Sequence, residues 1–89
     1  MARTLLVGAE IPCPTNAGAA TSFTGASVVR LINTNAAIQK VTVLETQSGV
    51  GVGSMTIAPN SVEFLEKKST QVVFAASADV LGTQVGYTA

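Results

Sequence analysis

Eighty-nine residues, with five Lys and Arg balanced by five Asp and Glu, leave room for one hydrophobic core and no net field to draw a polyanion. His and Trp are absent and Cys13 is the sole cysteine, which removes the commonest general base, the commonest metal ligand and any disulfide within the chain. Apolar residues reach 47% while charged ones stop at 11%, against about 25% in an average domain.

Short alternating runs broken by Gly, Asn, Pro and Ser every ten residues or so predict strands rather than helices. Residues 4–10 form the first candidate, with Leu5 and Val7 on one side and Leu6 on the other. Residues 12–20 read as a loop, since two prolines, an Asn and a Gly do not suit a central strand. A short strand around Phe23 is expected over 21–24, ended by Gly25. Residues 27–33 are apolar on both faces, Val28 and Ile32 flanking Arg30 on one and Val29 and Leu31 filling the other, which predicts a central strand. The stretch Asn33-Thr34-Asn35-Ala36-Ala37 reads as the turn of a hairpin to residues 39–46, where Val41 and Val43 point inward.

Gly49 and Gly51 mark a connection, after which residues 53–58 place Met55 and Ile57 on one face and close a second hairpin. Pro59-Asn60 is a turn dipeptide. In residues 61–67, Val62 and Phe64 are expected to face the core, while Glu63 and Glu66 look outward or mark a bulge near Leu65. Lys67-Lys68-Ser69 reads as a solvated turn, residues 70–74 as a β-branched strand and 75–80 as a loop or a single helical turn of small residues. Residues 81–87 have the cleanest period of two, with Leu81, Thr83, Val85 and Tyr87 on one face and Gly82, Gln84 and Gly86 on the other.

The count of about seven to eight short strands predicts an all-β fold, a small antiparallel β-sandwich of Ig-like or jelly-roll-like type. Residues 1–20 are expected to be an extended N-terminal arm holding the first strand and the Pro-rich loop, and residues 21–89 the single sandwich domain. Below about 80 residues a single core rarely gives more than roughly 3–5 kcal/mol, and natural small folds add disulfides, metals or partner subunits. Partner subunits are the remaining choice, so a homo-oligomer or a larger assembly is expected.

Chemistry finds few occupants. Cys13 lies between Pro12 and Pro14 with no base in reach, so it reads as a structural thiol. Gly49-Val50-Gly51-Val52-Gly53 lacks the spacing, the Lys and the helix of a phosphate loop. Glu63, Glu66, Lys67 and Lys68 read as charges that keep a sheet edge from pairing with stray strands. The sequence therefore predicts no enzyme, no cofactor and no metal. Three cations, Arg30, Lys67 and Lys68, without interleaved aromatics predict no nucleic acid partner. No run approaches the roughly 18 apolar residues of a membrane-spanning helix, and Glu10, Pro12 and Pro14 spoil the faint likeness of the start to a secretory leader.

Several segments carry a likeness to known proteins. Val29-Arg30-Leu31-Ile32-Asn33-Thr34-Asn35-Ala36-Ala37, Val41-Thr42-Val43, residues 57–68, residues 75–81 and Val85-Gly86-Tyr87-Thr88 resemble small β-rich virion structural proteins of tailed bacteriophages, marine and cyanobacterial ones especially. The resemblance covers residues 28–88. It implies a capsid decoration or cement protein on the phage head, or a neck or tail component, with the major capsid protein or other virion proteins as partners. It further implies synthesis in the host cytoplasm and a place in the particle.

On the residues themselves, Leu5, Leu6 and Val7 form an apolar segment able to augment another sheet. Gly82, Gln84 and Gly86 line a backbone face open to another layer. These six residues are the candidate interface. The alternative is a carbohydrate-binding or host-surface module of a fibre or tail, which would rest on exposed aromatics, Tyr87 foremost.

Overall fold

The computed structural model describes residues 3–88. Among them the backbone forms eight strands: β1 (Arg3–Leu6), β2 (Ile11–Pro12), β3 (Val28–Asn33), β4 (Gln39–Leu44), β5 (Gly51–Ile57), β6 (Val62–Glu66), β7 (Val72–Ala75) and β8 (Val80–Thr88), with one 3-10 turn at Ala17–Ala19. The strands pair antiparallel in a five-stranded sheet ordered β1-β8-β3-β6, with β2 also on β8, and a three-stranded sheet ordered β5-β4-β7. The fold is all-β, a small sandwich of two antiparallel sheets.

The period of two selects the core. Val29 and Leu31 of β3 and Val80 of β8 face Val41 and Val43 of β4, Ile57 of β5, and Val73 and Ala75 of β7, all buried. Burying a Val, Leu or Ile side chain in full is worth about 1.5–3 kcal/mol, so this small aliphatic set, with the Phe23 ring packed in the same cluster, holds the two layers together.

β3 is central, as its two apolar faces require, with β8 on one edge and β6 on the other. That occupancy overturns the expected hairpin between β3 and β4. With both edges of β3 taken, the chain must leave the sheet after Asn33, and β4 joins the other layer between β5 and β7. Asn33 makes the crossing. Its fully buried side chain donates to the carbonyls of Ala37 (2.9 Å) and Ile57 (2.8 Å) and accepts from the Asn35 amide (2.9 Å). One residue thus shapes its own turn and ties the end of β3 to the end of β5. The second hairpin, β4 to β5, forms as expected.

Four further expectations are corrected. In β6 the register sets Leu65 opposite Val29 and Glu63 opposite Leu31 without a bulge, so Leu65 turns inward while Val62 and Phe64 stand exposed on the outer face. The residues after Phe64 decide this: Lys67 shares the inward side with Leu65 and is itself buried, its ammonium donating to the carbonyl of Ala26 at 2.7 Å. The Lys67-Lys68 pair is therefore only half a solvated turn.

The Phe23 strand is replaced by a left-handed turn. Phe23, Thr24 and Gly25 have φ of 52°, 60° and 72°, and the Ala26 amide bonds back to the Ser22 carbonyl at 3.1 Å. Thr21 Oγ1 accepts from the Phe23 amide and Ser22 Oγ from the Gly25 amide, each at 3.1 Å. Left-handed backbone costs an L-residue roughly 1–2 kcal/mol, and full burial of the Phe23 ring returns about 3 kcal/mol. Lastly, Ile11–Pro12 of the Pro-rich loop is paired as β2, at the sheet edge where proline is tolerated.

Candidate interaction surface

The two sheets have four edges, and the sequence treats each differently. β1 and β2 run along one side of β8 as a single interrupted strand. Leu6 pairs with Val85 and Ile11 with Gly82, so the four residues 7–10 face only Thr83 and Gln84. The excess bulges outward. Thr83 Oγ1 holds it by donating to the Gly8 carbonyl at 2.8 Å, and Glu10 reaches Arg30 on β3 at 3.3 Å.

The N-terminal segment is thus built into the sheet of its own chain. Next, residues 13–23 cross to the other layer. The Ala75 amide donates to the Pro14 carbonyl at 2.9 Å, and Thr21 exchanges both backbone bonds with Val73, which covers the edge of β7. The 3-10 turn then lies over the outer face of the small sheet, where Ala20, Leu44 and Val72 form a second apolar cluster with Ala17 and Phe74 beside it. This flank of the sandwich is closed.

The opposite flank, where β5 and β6 end their sheets, is open. A cleft of about 190 Å³ lies between them, lined by Val41 and Val43 at its floor and by Gly53, Met55 and Leu65 at its mouth. β6 carries exposed Glu63 and Glu66, as expected for a guarded edge. β5 carries no charge; none occurs between Glu45 and Glu63. Its Gly51 and Gly53 lack the positive φ seen at Gly25, and a Cβ on either would meet nothing within 4 Å. Neither a turn nor a close approach within the chain explains them, although each weakens a strand by roughly 0.5–1 kcal/mol relative to Ala.

The six expected interface residues gather on the β1 and β8 edge, with unequal exposure. Leu5 lies opposite Gly86, and Leu5 and Val7 each come within about 4 Å of where a Gly86 Cβ would stand. They share the inner face of the large sheet, yet the three-stranded layer does not reach them: Leu5 and Val7 are each 52% exposed and Leu6, on the outer face, 70%. Gln84 is half-buried, and its carbonyl accepts from the Val7 amide.

Gly82 is already covered by its own chain. A Cβ there would lie 2.6 Å from Cζ of Phe23 and 3.0 Å from Cδ2 of Leu31. The glycine exists so that the Phe23 ring can seat on the backbone of β8. The Tyr87 side chain lies outside the described residues.

The remaining chemistry is quiet. Cys13 is buried, and burial pushes its thiol up to about 11 from 9.0, the reverse of what a nucleophile needs. Burial lowers the Lys67 pKa, but the two carbonyls on its ammonium mark it as a tie between loops. Among the described residues no cluster of His, Cys, Asp or Glu has the makings of a metal site, and no helix is long and apolar enough to cross a membrane. No protein-family model, curated protein or solved structure matches the chain. The sequence pattern did not reveal β5 as an unguarded edge; its lack of charge was the available signal.

Proposed function

We propose that this protein is a non-enzymatic structural component of a phage particle, a decoration or cement protein that packs on the capsid and holds neighbouring subunits through protein contacts. The observation that carries the reading is the uncovered inner face at Leu5 and Val7, with Leu6 exposed on the other face of the same edge, on a chain with ten charges in all. A soluble monomer keeps such strips small and rims them with charge. Here the large sheet overhangs the small one, and an apolar surface of another protein completes the layer. The resemblance of residues 28–88 to virion proteins supports the same reading, and many identical weak contacts on a shell sum to firm attachment.

Cosedimentation of the purified protein with assembled phage heads tests it. Saturable binding at a fixed number of copies per capsid is expected, lost in Leu5→Asp/Val7→Asp and retained in Glu63→Gln. Absence of binding to heads, necks and tails alike would remove the proposal. Binding to polysaccharide instead, abolished by substitution of exposed Phe64, would transfer it to the surface-binding alternative.

A further inference from the structure

The geometry points to β5 as a homodimer interface: two copies of the chain pair their β5 strands antiparallel across a two-fold axis and join their small sheets into one six-stranded sheet. This deepens the structural role proposed above by naming the surface through which copies meet. The other edges are each obstructed, β7 by Pro14 and Thr21, β6 by Glu63 and Glu66, β1 and β2 by the outward bulge of residues 7–10 and by Pro12. β5 has neither a charge nor a proline. Its one irregularity is the extra residue Val52, since Gly53 pairs with Val43 and Gly51 with Leu44; residues 53–57 are regular and sit at the sheet edge. An edge of this kind is a template for another strand.

The occupant follows from charge and shape. A two-fold contact brings each residue near its own copy, so an interface that repels nothing of itself must be free of like charges. β5 meets that condition over its whole length. In the register centred on Ser54, Gly53 of each copy faces Met55 of the other, and Val52 faces Thr56. The space left by a glycine that its own chain does not fill then receives a methionine, a side chain suited to irregular gaps. Met55 and Gly53 both sit at the mouth of the apolar cleft, so each Met55 closes the cleft of its partner. A register centred on Met55 would instead oppose Gly53 to Ile57, which is already buried in its own core.

Sedimentation of the purified full chain, without shells, should give the dimer mass. Ser54→Lys sets two ammonium groups against each other at the axis, and juxtaposed like charges disfavour an interface; a dissociation constant raised about a hundredfold or more is expected, with an unchanged circular dichroism spectrum. Ser54→Cys should cross-link to a covalent dimer under mild oxidation, while Thr56→Cys, set opposite Val52, should not. A protein monomeric at every concentration, a dimer indifferent to Ser54→Lys, or equal cross-linking by both cysteines would each overturn the inference. Head binding by a chain that fails these tests would leave the proposed function standing, so the two failures are separable.

Discussion

The two flanks of this sandwich solve the same problem in opposite ways. On the closed flank the chain spends residues 13–23 on covering itself: backbone bonds occupy the edge of β7, a left-handed turn drives Phe23 into the core, and Gly82 is kept bare to admit the ring. On the open flank the sheets are joined by the short turn from β5 to β6, and the cleft between these two strands is left to solvent. In a chain with so few aromatic residues, one flank is sealed by its own loop and the other is left open. The closed flank should therefore govern stability, and the open flank the pairing of two copies.

The sharpest break of this contrast is at Phe23. Phe23→Ala should cost about 3–5 kcal/mol in chemical denaturation, the usual range for a buried phenylalanine. Gly82→Ala inserts a methyl where the ring lies and should cost about 1–3 kcal/mol by overpacking. Because the ring and the methyl compete for one space, the double variant should be more stable than the sum of the single losses by about 1 kcal/mol or more. Additive losses would mean that the ring does not seat on β8.

Next in size is the crossover that ties the flanks together. Asn33→Leu removes the partners of the Ala37 and Ile57 carbonyls and the Asn35 amide, and stranded buried groups cost about 1–3 kcal/mol each where water cannot replace the bond. A loss of about 2–3 kcal/mol is expected. Asn33→Asp keeps the acceptor for Asn35 while losing both donations, and should fall no lower than Asn33→Leu only if the carboxyl is protonated; its stability should therefore improve as pH is lowered.

What the sequence revealed and what it concealed divide along physical lines. Val29, Leu31, Val41 and Val43 were legible because strand alternation is local, and a residue with apolar neighbours two positions away needs no knowledge of the rest of the chain. Asn33 read as a turn residue because its short polar side chain favours turns, but its bond to the Ile57 carbonyl spans 24 positions and has no local trace. Phe23 read as strand by propensity, and its left-handed backbone is held there by burial against Gly82, a partner nearly 60 residues on. Phe64 and Leu65 were exchanged because edge strands bury neither face fully and the pattern there is ambiguous by one residue. Of the candidate interface, Leu5, Leu6 and Val7 are exposed, yet their segment pairs with β8 of its own chain, whereas the β5 edge is hard to read because an absence of charges is a weaker signal than a presence of apolar side chains.

Alkaline titration sharpens the same comparison through Cys13, which sits on the closed flank with its amide bonded to the Val80 carbonyl at 2.8 Å. Burial raises its thiol from 9.0 to about 11, so the folded chain holds this proton more tightly than the unfolded one. The resulting stability is fully present below pH 9, declines as pH rises from 9 to 11, and is gone above that; two units correspond to on the order of 3 kcal/mol at most. Lys67, lowered by burial from 10.5, acts with the opposite sign, because its unfolded form binds the extra proton and stability rises with pH toward that value. Cys13→Val isolates the thiol: it should flatten the decline between pH 9 and 11 and leave any rise from Lys67. An unchanged profile would mean that the thiol ionises as freely in the folded chain as in the unfolded one.

The smallest expected effect on stability is on the open flank, and its smallness is the point. Ser54 is exposed on β5 opposite Thr42, so Ser54→Lys disturbs no buried group and should change the unfolding free energy of the isolated chain by no more than about 0.5 kcal/mol. Measured where the protein is dilute enough to be monomeric, the denaturation midpoint should match the parent. Measured where the parent is dimeric, the parent alone should gain stability with concentration, since association favours the folded state by mass action. A concentration dependence that is the same in both proteins would place association elsewhere, on the overhang of Leu5 and Val7 first of all. A large loss in the dilute regime would show that β5 is needed to hold the core, and the division of labour between the two flanks would fail.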